Sequence, residues 1–321
     1  MSLSVTFAIA DSKDKELIVY SGRGETFVGP VLKMFEKESG IKVRVRYGST
    51  AEISALLQEE GEKSPADIFW SQDGAALGVN SPLFDKLPDE LFKDQPEHFR
   101  SDSGLWIGIT GRARSFAYST ERVKADTLPQ SIAFLTDKAW KGRIGWAPGN
   151  ASFQSFVTAM RITEGEDKAA KWVEGIKANG AKSYKNNTAI IQAIADGEID
   201  AGIVNTYYLA RFKTRDPAFP VAQTFFKDGD IGNLLNVAGV GVLKTSQHKE
   251  EAMKLIAYLM SPTIQQYFTS VGSEFPVIKG VIPNETLEAV ANPSKASPEV
   301  DINKLMDIKA TRDLLSKAGL L

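Results

Sequence analysis

Leu17-Ile18-Val19-Tyr20 is a continuous apolar run closed by Ser21-Gly22, which predicts a buried strand feeding a turn. Behind it, Val28, Val31, Leu32 and Phe35 fall on one helical stripe, with Gly40 as its C-terminal stop. Ile41 to Tyr47 alternates apolar and basic residues and reads as the next strand. Ser49-Thr50-Ala51-Glu52 has the form of a capping box, and Ile53, Leu56 and Leu57 line the helix behind it. Asp67-Ile68-Phe69-Trp70 is a third strand. This β-α-β-α-β order predicts a mostly parallel sheet with helices on both faces.

The same grammar returns later. Gly142 to Trp146 reads as a strand, and a helix starts near Ser152. Asp167 to Ala178 is a helix with Trp172, Val173 and Ile176 inward; Thr188 to Asp196 is another, carrying Ile190, Ile191 and Ile194 and stopped by Gly197. Ala201-Gly202-Ile203-Val204 is a buried strand that runs into Asn205-Thr206-Tyr207-Tyr208. Trp106 to Tyr118 and Val237 to Leu243 are extended, and His248 to Ser270 reads as one helix with Met253, Ile256, Ala257 and Met260 inward. The order fits an α/β fold of two lobes joined by crossing strands, with the ligand cleft between them at the carboxyl ends of strands. Lobe 1 is expected at 16–113 plus 237–290, and lobe 2 at 114–236 plus 291–321. Residues 1–15 fall outside this pattern. Met1-Ser2-Leu3 reads as an expression scar, and Ala8-Ile9-Ala10 either ends a secretory signal or belongs to a tail without that meaning.

Composition narrows the function. In 321 residues, 38 Lys+Arg face 40 Asp+Glu with no long run of one sign, so a clustered basic footprint for nucleic acid is missing. No stretch approaches the roughly 20 apolar residues that span a bilayer. Without cysteine there are no thiolate nucleophiles, zinc clusters or disulfides, and the only histidines are His98 and His248. A metal here would be held mostly by oxygen, which selects hard cations. Gly22-Arg23-Gly24 lies in the context of a dinucleotide fingerprint, but Phe27 stands where the third glycine belongs, and no G-x-S-x-G, P-loop or H-E-x-x-H motif occurs. Surface or capping roles are expected for both histidines.

Tyr207 and Tyr208 follow a buried strand and begin a helix, at the end of a sheet where ligands bind. Two readings are open for the pair. The rings can be packing at a helix start, or the two phenolates can be hard anionic donors suited to Fe(III).

From Leu17 to Leu321 the chain resembles the periplasmic ferric-ion-binding proteins of bacterial iron ABC importers. The match is carried by Leu17 to Ser21, Phe35 to Val43, Leu57 to Gly61 with Pro65 to Phe69, Gly111-Arg112-Ala113-Arg114, Trp140 to Gly145, Asn187 with Gln192-Ala193, Asn205 to Tyr208, and Ser273-Glu274-Phe275-Pro276. The tyrosine pair is its specific element. The resemblance implies a type II periplasmic solute-binding fold and a non-enzymatic carrier with Tyr207 and Tyr208 as iron ligands. The histidine-bearing loop of the family matches Ser21 to Glu25, where Arg23 stands instead. Its first-lobe carboxylate falls at Gln72, with Asp73 beside it, and a third tyrosine used by some members is replaced by Trp146. The site therefore resembles variants that complete the shell with an anion such as carbonate, phosphate or citrate.

The family's anion contacts match Asn150, Ala151, Ser152, Asn187 and Asn205, with Arg23, Arg112 or Arg114 as further holders. A helix N-terminus favours an anion on physical grounds, while Asn150 and Ser152 are equally good N-caps. By the same resemblance, the protein is expected to be an exported, soluble monomer that delivers iron to an inner-membrane ABC permease and binds no nucleic acid. Carriers of another small ligand (an oxyanion or a polyamine), a transferase, or a ligand-sensing domain on the same fold are the competing expectations.

Overall fold

The computed structural model describes residues 16–321 except 97–98, 289, 291–292, 301–304 and 306. The signal-like start and His98 lie outside the described residues. Strand β1 (Glu16–Ser21), helix α1 (Glu25–Ser39), β2 (Lys42–Tyr47), α2 (Thr50–Glu60), β3 (Ile68–Ser71) and α3 (Gly74–Asn80) form the first α/β unit. β1 pairs in parallel with both β2 and β3. Local chemistry sets these boundaries. Gly40 ends α1 at φ +72°, its N–H returning to the Glu36 carbonyl. The capping box of α2 is complete: Ser49 Oγ accepts from Glu52 N–H, and Glu52 Oε2 from Ser49 N–H.

The second unit contains β5 (Ile144–Trp146), α4 (Ala151–Glu164), α5 (Glu166–Ala178), β6 (Lys182–Ser183), α6 (Asn187–Ala195), β7 (Ala201–Asn205), α7 (Tyr207–Arg215) and β8 (Val221–Thr224). Two antiparallel strands connect the units, β4 (Ile107–Ser119) and β9 (Leu235–Val242). β9 pairs with β3 on one side and with residues 107–113 of β4 on the other. From Arg114 onward, β4 pairs instead with β7 and β8. The strand changes partners between Ala113 and Arg114, so these neighbours belong to different halves of the molecule. Each half has its own apolar core, one around Leu17, Val19, Trp70 and Phe268 and the other around Phe116, Phe156, Trp146 and Trp172.

The chain closes with α8 (Lys249–Leu259), α9 (Pro262–Gly272), two short helices α10 (Glu285–Glu288) and α11 (Pro293–Ala296), and α12 (Ile308–Lys317). Here the structure corrects the reading of one helix over His248–Ser270. Ser261-Pro262 divides it, because proline lacks the N–H a continuing helix needs and is suited to a helix start. The buried face of α8 is Ala252, Leu255, Ile256 and Leu259; Ala257 is exposed, and Met253 and Met260 flank the stripe half-buried. His248 stands at the N-cap position of α8 with ring Nδ1 3.2 Å from the buried Asp67 carboxylate.

Candidate functional site

The tyrosine pair sits where the pattern placed it. β7 is buried along its whole length and stops at Asn205; Thr206 N–H then bonds to the Ala113 carbonyl at 3.0 Å, and α7 starts at Tyr207. Neighbours on a helix normally diverge by about 100°. In this first turn the two rings instead stack, with centroids 4.3 Å apart and planes 30° apart. Burial raises the Tyr208 phenol above its ordinary pKa, and the adjacent Tyr207 adds to this against the opposing pull of Arg211 and Arg112. A protonated phenol at neutral pH ligates only when a strongly polarising cation displaces its proton. The Arg211 guanidinium lies 5.5 and 5.2 Å from the two ring centroids. Sequence reading missed Arg211, although its position three and four residues beyond the tyrosines puts it on the same helix face.

The pair opens onto a cleft of about 660 Å³ that Arg23, Gln72, Arg112, Arg211 and Glu274 also line. Arg23 and Glu274 form a buried ion pair at 2.9 Å, with the guanidinium 4.7 Å from the Phe27 ring centroid. Glu274 also accepts from the Thr110 hydroxyl. Burial pushes the Glu274 carboxyl up, but Arg23, Arg112 and Thr110 together hold it below the usual carboxylate range. Burial lowers the Arg23 guanidinium, Glu274 opposing and Arg112 adding to the effect. Glu274 belongs to a segment that carries the family resemblance, yet nothing local in the sequence pairs it with a residue 251 positions away.

Arg112 donates to the backbone carbonyl of Gln72, and its buried Nε has no partner. The Gln72 residue is exposed on the cleft wall. Asp73 is the N-cap of α3, its Oδ1 accepting from Ala76 N–H at 2.9 Å, and it does not line the cleft. Trp146 is wholly buried against Phe153 and Trp172, part of the second core.

The remaining sequence-selected residues cluster around Arg114. Asn150 is the N-cap of α4, its Oδ1 accepting from both N–H and hydroxyl of Ser152. Ala151 is exposed in the first turn. Asn187, Asn205 and Arg114 are all buried. Arg114 Nη1 donates to Asn205 Oδ1 at 3.0 Å, with Ser152 Oγ at 3.4 Å and Asn187 Oδ1 at 3.5 Å, and Nη2 donates to the Ile203 carbonyl at 3.0 Å. The guanidinium lies 5.9 and 5.8 Å from the Phe153 and Phe156 ring centroids. Burial lowers its pKa to about 10, with the two tyrosines acting in the other direction. It remains a cation at neutral pH.

Among the described residues no group of three or more His, Cys, Asp or Glu could hold a metal. No described helix is long and apolar enough to cross a membrane. Residues 31–296 match the bacterial extracellular solute-binding protein family. The chain is 32% identical to the major ferric iron-binding protein of Neisseria meningitidis, over 99% of this chain and 95% of that one. It is 30% identical to the Fe(3+)-binding periplasmic protein of Serratia marcescens, over 98% and 93%. Among solved structures, iron-bound HitA from Pseudomonas aeruginosa superposes with a TM-score of 0.83 at 29% identity, covering 95% of this chain and all of that one. The Trichodesmium protein IdiA (FutA), in complex with iron and citrate, superposes at 0.85 and 27% identity with the same coverage.

Proposed function

The chain belongs to the bacterial extracellular solute-binding proteins, and from that premise we propose that it captures ferric iron in the cleft through Tyr207 and Tyr208, completes the shell with a small anion, and delivers the metal to an ABC permease from the periplasm. Its fold is the type II arrangement of two α/β lobes around a cleft, and its relatives are named as binding proteins rather than enzymes. The observation that carries the reading is the stacked phenol pair at the carboxyl end of β7, facing a cleft in which the other lining charges are mostly guanidinium.

Charge and coordination number support the anion. Two tyrosinates cancel two of three ferric charges and fill two of about six positions around a hard cation. Arginine does not ligate iron, but its planar fork holds a carboxylate or carbonate in bidentate fashion, bringing a coordinating oxygen toward the metal. Arg23 and Arg112 line the cleft, while the α4 start lies next to the Arg114 cluster. Asn187 Nδ2, in that cluster, is buried and unpartnered. The arginine-rich lining disfavours a polyamine. It keeps a second reading alive, that a small oxyanion is itself the cargo.

Loading with ferric salt plus carbonate tests the assignment. The expected result is a visible phenolate-to-iron charge-transfer band that disappears in the Tyr207→Phe/Tyr208→Phe variant. A band and affinity that survive the double change would put the iron elsewhere. Tight binding of carbonate or phosphate without iron, unaffected by adding it, would favour the oxyanion.

A further inference from the structure

Arg114 is a buried cation with an unusual set of partners. Arg23, a comparably buried arginine that lines the cleft, has a carboxylate; Arg114 has two amides, a hydroxyl and a backbone carbonyl. Burying a guanidinium without a counter-ion is costly, and an apolar side chain between Phe153 and Phe156 would avoid that cost. Its hydrogen bonds also decide the chemistry of its neighbours. Arginine only donates, so Asn205 Oδ1 must point at it and Asn205 Nδ2 must turn away, where it donates to Ser152 Oγ at 3.2 Å. The Asn205 backbone N–H likewise fixes Asn187 Oδ1 as an acceptor at 3.0 Å, leaving Asn187 Nδ2 buried with no partner. Ser152 Oγ accepts from Asn205 and gives its proton to Asn150 Oδ1.

We propose that Arg114 is the positioning residue of the anion site, holding the oxygens of Asn205 and Asn187 so that the cluster behind the tyrosine pair meets an anion with the Asn187 Nδ2 donor and the start of α4 rather than with those oxygens. The amide oxygens that a cation would seek are turned toward Arg114 and the Asn205 N–H, whereas a small oxyanion finds the unspent Asn187 Nδ2 donor and an uncancelled positive charge. The proposal rests on the ferric-plus-anion reading and adds the residue that makes this wall select an anion.

The experiment is a ferric titration of the whole protein in carbonate-free buffer, with and without added carbonate, repeated with phosphate. The readout is the ratio of the two dissociation constants. Wild type should bind iron more tightly with the anion. Arg114→Lys, which keeps charge but loses the fork, should lose about tenfold of that enhancement, and Arg114→Met at least as much. Loss of packing alone would weaken binding by one factor in both buffers and leave the ratio unchanged. Asn205→Asp covers the case in which the Arg114 variants fail to fold. It gives Arg114 a carboxylate, cancels its charge and removes the Nδ2 donor, so the enhancement should vanish in a folded protein. A wild-type ratio retained in the folded Arg114 variants, or in Asn205→Asp, overturns the proposal. No enhancement in wild type would instead overturn the anion reading beneath it.

Discussion

The two walls of the cleft bury their arginines in opposite ways. On the wall next to β1 and α9, Arg23 is matched by Glu274, which Thr110 also holds, and Arg112 is anchored to a backbone carbonyl. Behind the wall that Tyr207 and Tyr208 line, where the Arg114 end of β4 meets β7 and α4, the guanidinium meets only neutral oxygens. The first wall is electrostatically half-settled before any ligand arrives, whereas the second keeps its positive charge beside the two phenols. Negative charge is therefore scarcest on the second side. Ionising the phenols against a ferric ion, and seating an anion at the α4 start, would both supply it there.

The largest expected effect removes the side that lacks charge compensation. Tyr207→Phe/Tyr208→Phe takes away both proposed phenolate donors. Changes beside a metal's ligands already cost about 10–100-fold in affinity, so losing two ligands should exceed that range. A titration showing a smaller loss would mean that the first wall holds the metal and that the contrast between the walls is reversed.

The next test attacks the settled side. Glu274→Gln leaves Arg23 buried without its counter-ion, and breaking a buried pair in this way costs about 3–5 kcal/mol. Chemical denaturation at neutral pH measures it. The pH dependence has a definite sign. The folded-state pKa of Glu274 lies below its unfolded value. Its contribution is therefore complete above the ordinary carboxylate range and is lost as pH falls through the depressed folded value. The glutamine variant should lack that part of the acid-induced loss. An unchanged acid profile would show that Arg23 finds another partner.

These effects divide along the line between what the sequence exposes and what it hides. The capping box at Ser49, the stop at Gly40 and the tyrosines after a buried strand are signals spread over a few residues, and each survives in three dimensions. The break at Pro262 was legible too, but the helical stripe continued across it and masked it. The Arg23–Glu274 pair joins residues 251 apart, and the Arg114 contacts reach 38 to 91 positions along the chain. No local pattern encodes such meetings, because the sheet creates them when β4 changes partners. The resemblance supplied the residues of the proposed anion site, while the amide orientations around Arg114 follow from hydrogen bonds that only the folded chain contains.

The smallest expected effect comes from Gln72, the residue that stands where the family places a first-lobe carboxylate. Both of its described anchoring contacts are made by backbone: the carbonyl accepts from Arg112, and the N–H donates to Thr50 Oγ1 at 3.2 Å. Gln72→Ala retains both, so the loop and Arg112 should keep their places. What disappears is an exposed neutral amide, whose oxygen carries no formal charge to set against a ferric ion and competes poorly with a phenolate. An exposed substitution of this kind typically shifts energies by less than about 0.5 kcal/mol, so ferric affinity should change by about twofold or less. The same titration run on Tyr208→Phe provides the scale. Should the alanine variant fall as far as the phenylalanine one, the first wall contributes a ligand of its own, and its charge is not half-settled but poised to take part in holding the metal.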